Sequence, residues 1–172
     1  EHLYSIAAYS DRHAIVLMIG EGADTEVNDA EVGRFQLRYL ADETTLLKAF
    51  CALVKDLDPD ILMGWNVVNF DLRCLQNFAD QHRVVLELGR NDESLSWRQA
   101  RDNSDHHFVT IPGRAVLDGI ELLRSATYSF ENFSLEFVAR QLLQRGKLVD
   151  DVDQRGAEIT TLFAENKPAL AR

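Results

Sequence analysis

The stretch that decides the fold reads Asp58-Pro59-Asp60-Ile61-Leu62-Met63-Gly64-Trp65-Asn66-Val67-Val68-Asn69-Phe70-Asp71. Asp58-Pro59-Asp60 ends a helical pattern, because proline cannot continue a helix and disfavours helical backbone in the residue before it. Ile61-Leu62-Met63 is a short all-apolar run, the signature of a strand buried on both faces and paired in parallel. Residues 70–82 then read as a helix. Asp71 accordingly stands at the edge of the sheet, near a helix N-terminus. A carboxylate there can cap its helix, or it can stay ionised and act as a hard oxygen ligand for Mg²⁺ or Mn²⁺. Spacing alone leaves both readings open.

Upstream, residues 3–9 and Ala14–Ile19 are strand-like on either side of the turn-forming Ser10-Asp11-Arg12-His13. Glu21, Asp24, Glu26, Asp29 and Glu31 crowd a stretch without a basic residue, flanked by Gly20 and Gly22, which predicts a solvated loop. Residues 35–39 alternate apolar and polar side chains, as a half-buried strand does. Three strands joined in this way predict an antiparallel meander. Asp42 can cap a helix whose apolar residues Leu46, Leu47, Phe50, Leu53, Val54 and Leu57 follow helical spacing.

Downstream, residues 87–107 are charged and polar around Trp97, and read as an insertion or long loop. Ala115-Val116-Leu117 is a second buried strand, and a helix follows it. Residues 134–144 form another helical pattern, with Gly146 placed to end it. A last helix covers residues 154–165. The order of elements predicts an α/β domain with a mixed sheet flanked by helices, an antiparallel meander plus parallel strands.

The 172 residues suit one domain with a single substantial core. Two cysteines, Cys51 and Cys74, rule against a disulfide framework or a cysteine-based zinc site and fit a reducing, cytoplasmic setting. No apolar run approaches the length of a membrane span. The chain opens Glu1-His2-Leu3 without an initiator Met, so it reads as a piece excised from a longer protein. A net charge of −10 argues against a broad nonspecific DNA-binding surface, which needs clustered Lys and Arg. It is compatible with a metal-dependent nuclease, whose site is itself rich in carboxylates.

Gly64-Trp65-Asn66-x-x-x-Phe70-Asp71 resembles the second exonuclease motif of family B DNA polymerases, and its company narrows the likeness to the bacterial members. Residues 58–68, Phe70-Asp71-Leu72-Arg73, Leu75-Gln76, Leu88-Gly89-Arg90 and Trp97-Arg98 are similar to them in order and spacing. So are Gly113-Arg114, Asp118-Gly119-Ile120-Glu121, Phe133-Ser134-Leu135-Glu136 and Lys167-Pro168-Ala169-Leu170-Ala171. The resemblance implies an RNase H-like fold with residues 61–64 in a central strand. It also implies a 3′–5′ proofreading exonuclease that hydrolyses the terminal phosphodiester with two divalent metals, Mg²⁺ or Mn²⁺, held by four acidic residues.

Asp71 matches the second-motif carboxylate, so it carries both the catalytic and the metal-ligand assignment. Asn66 matches a residue beside the frayed 3′ end of the DNA, and Phe70 is expected to anchor its turn in the core. The first motif, Asp-x-Glu, should precede Glu1, and the third, Tyr-x-x-x-Asp, should follow Arg172. Residues 1–172 thus read as a single, truncated exonuclease domain, inactive alone and holding no metal tightly. Its partners would be the single-stranded 3′ end of primer DNA and the remaining polymerase domains of the same chain, with no membrane. The alternatives are a non-catalytic RNase H-like module that packs on a polymerase or holds single-stranded DNA, and a free-standing exonuclease.

Other residues invite weighing. Asp118 follows a strand and precedes Glu121 by three, the spacing of a capping box, which favours a helix cap over a metal ligand. His106 and His107 are a poor metal pair, because neighbours on a strand face opposite sides. Cys51 and Cys74 sit as small hydrophobes within helical patterns. Arg73, Arg90, Arg98, Arg101 and Arg114, interleaved with Asp80, Glu87, Asp92, Glu93, Asp102 and Asp105, read as a solvated mixed-charge surface rather than a DNA path.

Overall fold

A computed structural model describes residues 2–30, 32–101, 106–144 and 155–171. The first half of the chain runs β1 (Ser5–Tyr9), β2 (Ala14–Ile19), β3 (Thr25–Asp29), β4 (Gly33–Leu40), α1 (Glu43–Leu57) and β5 (Ile61–Gly64). A π-helical turn, Val67–Leu72, leads into α2 (Arg73–His82). After a 3-10 turn, Arg90–Asp92, come β6 (Ser96–Gln99), β7 (His107–Thr110), β8 (Ala115–Asp118) and α3 (Gly119–Ser125). The helices α4 (Leu135–Leu143), α5 (Arg155–Glu165) and α6 (Lys167–Leu170) follow. Two compact units result: Glu1–Val54 with Phe78–Leu86 and Asp151–Arg172, and Lys55–Asn77 with Glu87–Asp150.

The first unit holds a four-stranded sheet in the order β1-β2-β4-β3. Register places Val16 opposite Leu37 and Phe35 opposite Val27, so these side chains share one face. Val16, Met18, Phe35 and Leu37 are buried there, and Phe163, Leu170 and Ala171 pack against them. Helix α1 begins where expected, with Asp42 Oδ1 accepting the Thr45 N–H at 2.7 Å, and it buries Leu46 and Leu47 completely.

Two expectations for this unit need correction. The acidic stretch read as a loop contains β3, in which Thr25, Glu26 and Asn28 are exposed while Val27 turns toward the core. An edge strand needs only backbone pairing on one side, so polar side chains do not forbid it. Glu31 of that stretch lies outside the described residues. Because β3 intervenes, the chain reverses once more before β4, which therefore runs parallel to β2. The sheet is mixed within itself, and the three strands first recognised do not form a plain meander.

The second unit is organised by β5 and β8, which pair in parallel from Ile61↔Ala115 to Gly64↔Asp118. Among the described residues β8 is the one strand paired with β5, which is therefore not seen as a central strand. Nor is β5 buried on both faces, since Ile61 and Met63 are exposed. The segment read as a long loop instead carries the 3-10 turn and an antiparallel hairpin of β6 and β7, with Ser96 opposite Thr110. Leu88, Leu95 and Ile111, which flank these elements in sequence, are buried. Of the helix ends, Ser134 Oγ accepts the Phe137 N–H, and Gln144 closes α4 in the left-handed region. Gly146, expected to end this helix, Gln154 in the last one, and Asp102 and Asp105 of the mixed-charge group lie outside the described residues. Parallel and antiparallel pairing flanked by helices is the arrangement of an RNase H-like exonuclease fold.

Arg114 is not part of a solvated mixed-charge surface, whereas Arg90, 37% exposed, pairs there with the exposed Asp58 and Asp60. The Arg114 side chain is 2% exposed; its Nη1 donates to Asp58 Oδ1 at 2.9 Å and to the Pro59 carbonyl, and its Nε donates to the Leu88 carbonyl at 2.8 Å. Arg90 donates to Asp58 Oδ1, Asp60 Oδ1 and the Gly113 carbonyl. Together they tie the entry of β5 to the entry of β8. Arg114→Leu is expected to cost about 2 kcal/mol or more, because it orphans two backbone carbonyls, and a urea unfolding midpoint will show it.

Asp58 contributes in a pH-dependent way. Hydrogen bonds from Arg90, then from Arg114, hold its carboxyl below the ordinary 3.8. A depressed carboxyl stabilises the fold above its ordinary value, and the contribution is lost as pH falls through the lowered one. Wild type and Asp58→Asn should therefore differ in thermal midpoint at pH 6 and converge as the pH drops well below 3.8.

Candidate active site

Gly64 ends β5 opposite Asp118, the last residue of β8, so the parallel register alone brings the two recognised segments together. A Cβ on Gly64 would stand 3.0 Å from Val67 Cβ, and one on Gly119 would stand 2.9 Å from the Trp65 ring. A side chain would be tight at Gly64 and would push Trp65 away at Gly119, whose missing Cβ lets Trp65 lie on the start of α3. Trp65 Nε1–H donates to the Phe133 carbonyl at 3.0 Å. Asn66 takes the left-handed conformation with φ 56°, and its carbonyl accepts the Phe70 N–H at 2.9 Å. Asparagine tolerates this region better than most residues.

The helix expected over residues 70–82 is therefore a π turn followed by α2. The turn is pinned on two sides. Asp118, 6% exposed, accepts the Val68 N–H on Oδ2 at 3.2 Å and the Ile120 N–H on Oδ1 at 3.0 Å. Asn69 Oδ1 accepts the His107 N–H at 2.8 Å, fastening the turn to β7. Asp118 is thus the helix cap the sequence favoured, and more. Its second bond spans fifty positions, which no local spacing reveals. Glu121 does not complete a capping box as anticipated; its Oε1 accepts from Arg124.

The expectation that Phe70 anchors the turn in the core is overturned, because it is 61% exposed. A signal was available: Phe70 stands seven residues before the exposed Asn77, whereas the buried face of α2 follows Leu72, Leu75, Phe78 and Ala79. The His106 ring meets Asn69 and Phe108, and His107 meets Asn69 through its backbone N–H and Trp97 through its ring. Arg73 lies over Trp97 at 5.1 Å and Arg98 over Phe108 at 4.5 Å. Cys51 and Cys74 are half-buried and form no disulfide.

Asp71 sits in the last part of the π turn with its side chain open to solvent. Desolvation by neighbouring atoms pushes its carboxyl above the ordinary 3.8; its own backbone N–H opposes this, and the charge of Asp118 adds to it. Exposure and desolvation coexist because Asp71 stands one turn before the buried Leu75, on the border of the apolar face. The two carboxylates therefore differ in availability. Asp118 has both oxygens engaged by N–H groups, whereas Asp71 faces water. Among the described residues, no group of three His, Cys, Asp or Glu side chains gathers to hold a metal ion. The described residues supply one available carboxylate at this turn, enough for a single ligand and not for a metal centre.

A raised carboxyl favours the protonated form in the fold, so ionised Asp71 opposes folding at neutral pH and ceases to do so as pH falls toward the ordinary value. In the absence of divalent metal, Asp71→Asn should fold at least as stably as wild type at pH 7, with the difference fading below pH 3.8. Thermal unfolding across that range measures it; a less stable variant at pH 7 would show that the charge supports the fold.

Residues 4–138 match the family model described as DNA polymerase family B, exonuclease domain. The chain is 43% identical over 98% of its length to DNA polymerase II of Escherichia coli, spanning 21% of that protein. It is 30% identical over 91% of its length to a DNA polymerase of Thermococcus aggregans, spanning 8% of it. Similarity extends to the DNA polymerase delta catalytic subunit of Schizosaccharomyces pombe, at 28% identity over 68% of the chain and 11% of the relative. The chain thus spans about a fifth or less of each of these relatives.

Proposed function

The chain belongs to the exonuclease domain of family B DNA polymerases, and on that premise we propose that it forms most of a 3′–5′ proofreading exonuclease within a DNA-polymerising protein. The observation that carries the reading is Asp71, an outward carboxylate on a turn clamped from two sides, inside the span the family model matches. Exonuclease domains of this family use divalent metals. When bound, such ions generate the attacking hydroxide and stabilise the leaving 3′-oxygen.

In the proposed division of labour Asp71 offers one ligand oxygen, and its exposure keeps that oxygen within reach of a hydrated Mg²⁺ or Mn²⁺. Asn66, half-buried at the opening of the same turn, would contact the frayed 3′ end of the primer. The other acidic ligands would come from an Asp-x-Glu segment preceding residue 1 and a Tyr-x-x-x-Asp segment following residue 172, which makes the present residues a truncated domain. The proposed partners are single-stranded primer 3′ ends and the polymerase domains of the same protein, in a cytoplasmic setting. None of the described helices is long and apolar enough to cross a membrane.

The second reading is a non-catalytic module of the same fold that holds single-stranded DNA or packs on a polymerase. One pair of experiments separates them. In a full-length polymerase carrying this domain, Asp71→Ala should reduce nucleotide excision at least about 100-fold, since loss of even an outer-shell metal partner costs about 10–100-fold, while polymerisation persists. Residues 1–172 alone should release no nucleotide from end-labelled single-stranded DNA in Mg²⁺ or Mn²⁺, whereas a longer chain carrying both flanking motifs should digest it. A longer chain that binds DNA without cutting it supports the non-catalytic module. Robust digestion by residues 1–172, abolished by Asp71→Ala, means the remaining ligands lie within them.

A further inference from the structure

Asp118 is buried and ionisable, and nothing in the proposed chemistry uses it. Each oxygen of its carboxylate already accepts a backbone N–H, Oδ1 that of Ile120 at 3.0 Å and Oδ2 that of Val68 at 3.2 Å. Capping α3 requires only the first of these bonds. The second reaches across to the opening of the π turn, where N–H groups have no acceptor within their own helix. Gly119 leaves room for Trp65 beside it, so the close approach of the two segments is built in on both sides.

We infer that Asp118 is a positioning residue for the exonuclease: by holding the Val68 N–H it fixes the π turn that presents Asn66 and Asp71. The inference rests on the functional reading above and adds a role that capping does not explain. Asn69, bonded to the His107 N–H, restrains the far side of the turn, so loss of the Asp118 bond frees the Asn66 side first. A misplacement of about 1 Å at a reacting group costs about 100-fold in rate, so the effect should be read in excision rather than in folding.

The two bonds can be separated by substitution. Asp118→Ser keeps a good N-cap for Ile120 but is too short to reach Val68, whereas Asp118→Asn keeps the size and can accept only one of the two N–H groups. In a full-length polymerase carrying this domain, Asp118→Ser should lower the excision kcat about 10–100-fold on saturating single-stranded DNA. Polymerisation should hold, and the thermal midpoint should fall by a few degrees at most, the weight of one lost bond. Hydrogen exchange should quicken about tenfold or more in the peptide spanning residues 64–72, the weight of one lost charge-assisted bond, while the peptide containing Ile120 stays protected. Asp118→Asn should fall between Asp118→Ser and wild type in one or both readouts.

Wild-type excision in Asp118→Ser, or unchanged exchange at residues 64–72, overturns the inference. So does parallel loss of excision, polymerisation and thermal stability in both variants, which would make Asp118 a structural cap alone. A wild-type protein without any excision defeats the functional reading instead, and the exchange data then still decide whether Asp118 holds the turn.

Discussion

A turn that leaves a strand and opens a helix carries N–H groups that its own bonds cannot satisfy, and in this protein the Asp118 carboxylate answers one of them from another strand. Everything near the candidate site follows from that contact. The β5–β8 register must put Gly64 beside Asp118 for it to form. Trp65 must lie flat enough on the start of α3 to let the segments approach, and only glycine at position 119 leaves that space. The Arg90 and Arg114 network sets the same register from the opposite ends of the two strands, by joining Asp58 and Asp60 to the approach of β8.

What the sequence disclosed, and what it hid, divides along the range of the interactions. Helix α1 was legible from Asp42 onward because its cap and its apolar spacing are local. The parallel pair of β5 and β8 was legible from two short apolar runs, although Ile61 and Met63 prove exposed. Polar strands were not. β3 and β6 are held by backbone pairing with partners that carry the apolar side chains, so their own residues give no alternation to read. Arg114 reads as surface in the sequence because arginine seldom has a buried side chain, and its partners Asp58 and Leu88 are distant along the chain. The π turn is likewise a tertiary feature: Asn69 and Asp118, on different elements, hold a geometry that residues 66–72 alone do not dictate.

The candidate site was half legible. Asp71 and Asn66 came from the resemblance, and the structure sets both on one short turn. The sequence already favours a cap for Asp118 and, through the resemblance, a ligand for Asp71. What it does not disclose is the second bond of Asp118, to Val68. Burial and hydrogen bonding separate the two residues: a carboxylate with both oxygens engaged is a framework group, and one facing water on the edge of an apolar face is available for chemistry at some cost to folding.

Charge adds the final constraint. At a net −10 the chain repels a phosphate backbone, and four arginines of the second unit are engaged by other groups of the protein. Arg90 and Arg114 serve the Asp58 and Asp60 carboxylates and four backbone carbonyls, while Arg73 and Arg98 lie over Trp97 and Phe108. On the proposed reading, attraction for DNA at this turn must therefore come through divalent ions drawn to outward carboxylates rather than through a basic patch. That requirement accounts for an otherwise wasteful feature, an exposed Asp71 whose ionised form works against folding. The same charge buried and satisfied, as in Asp118, would steady the fold and contribute nothing to the attraction of a cation.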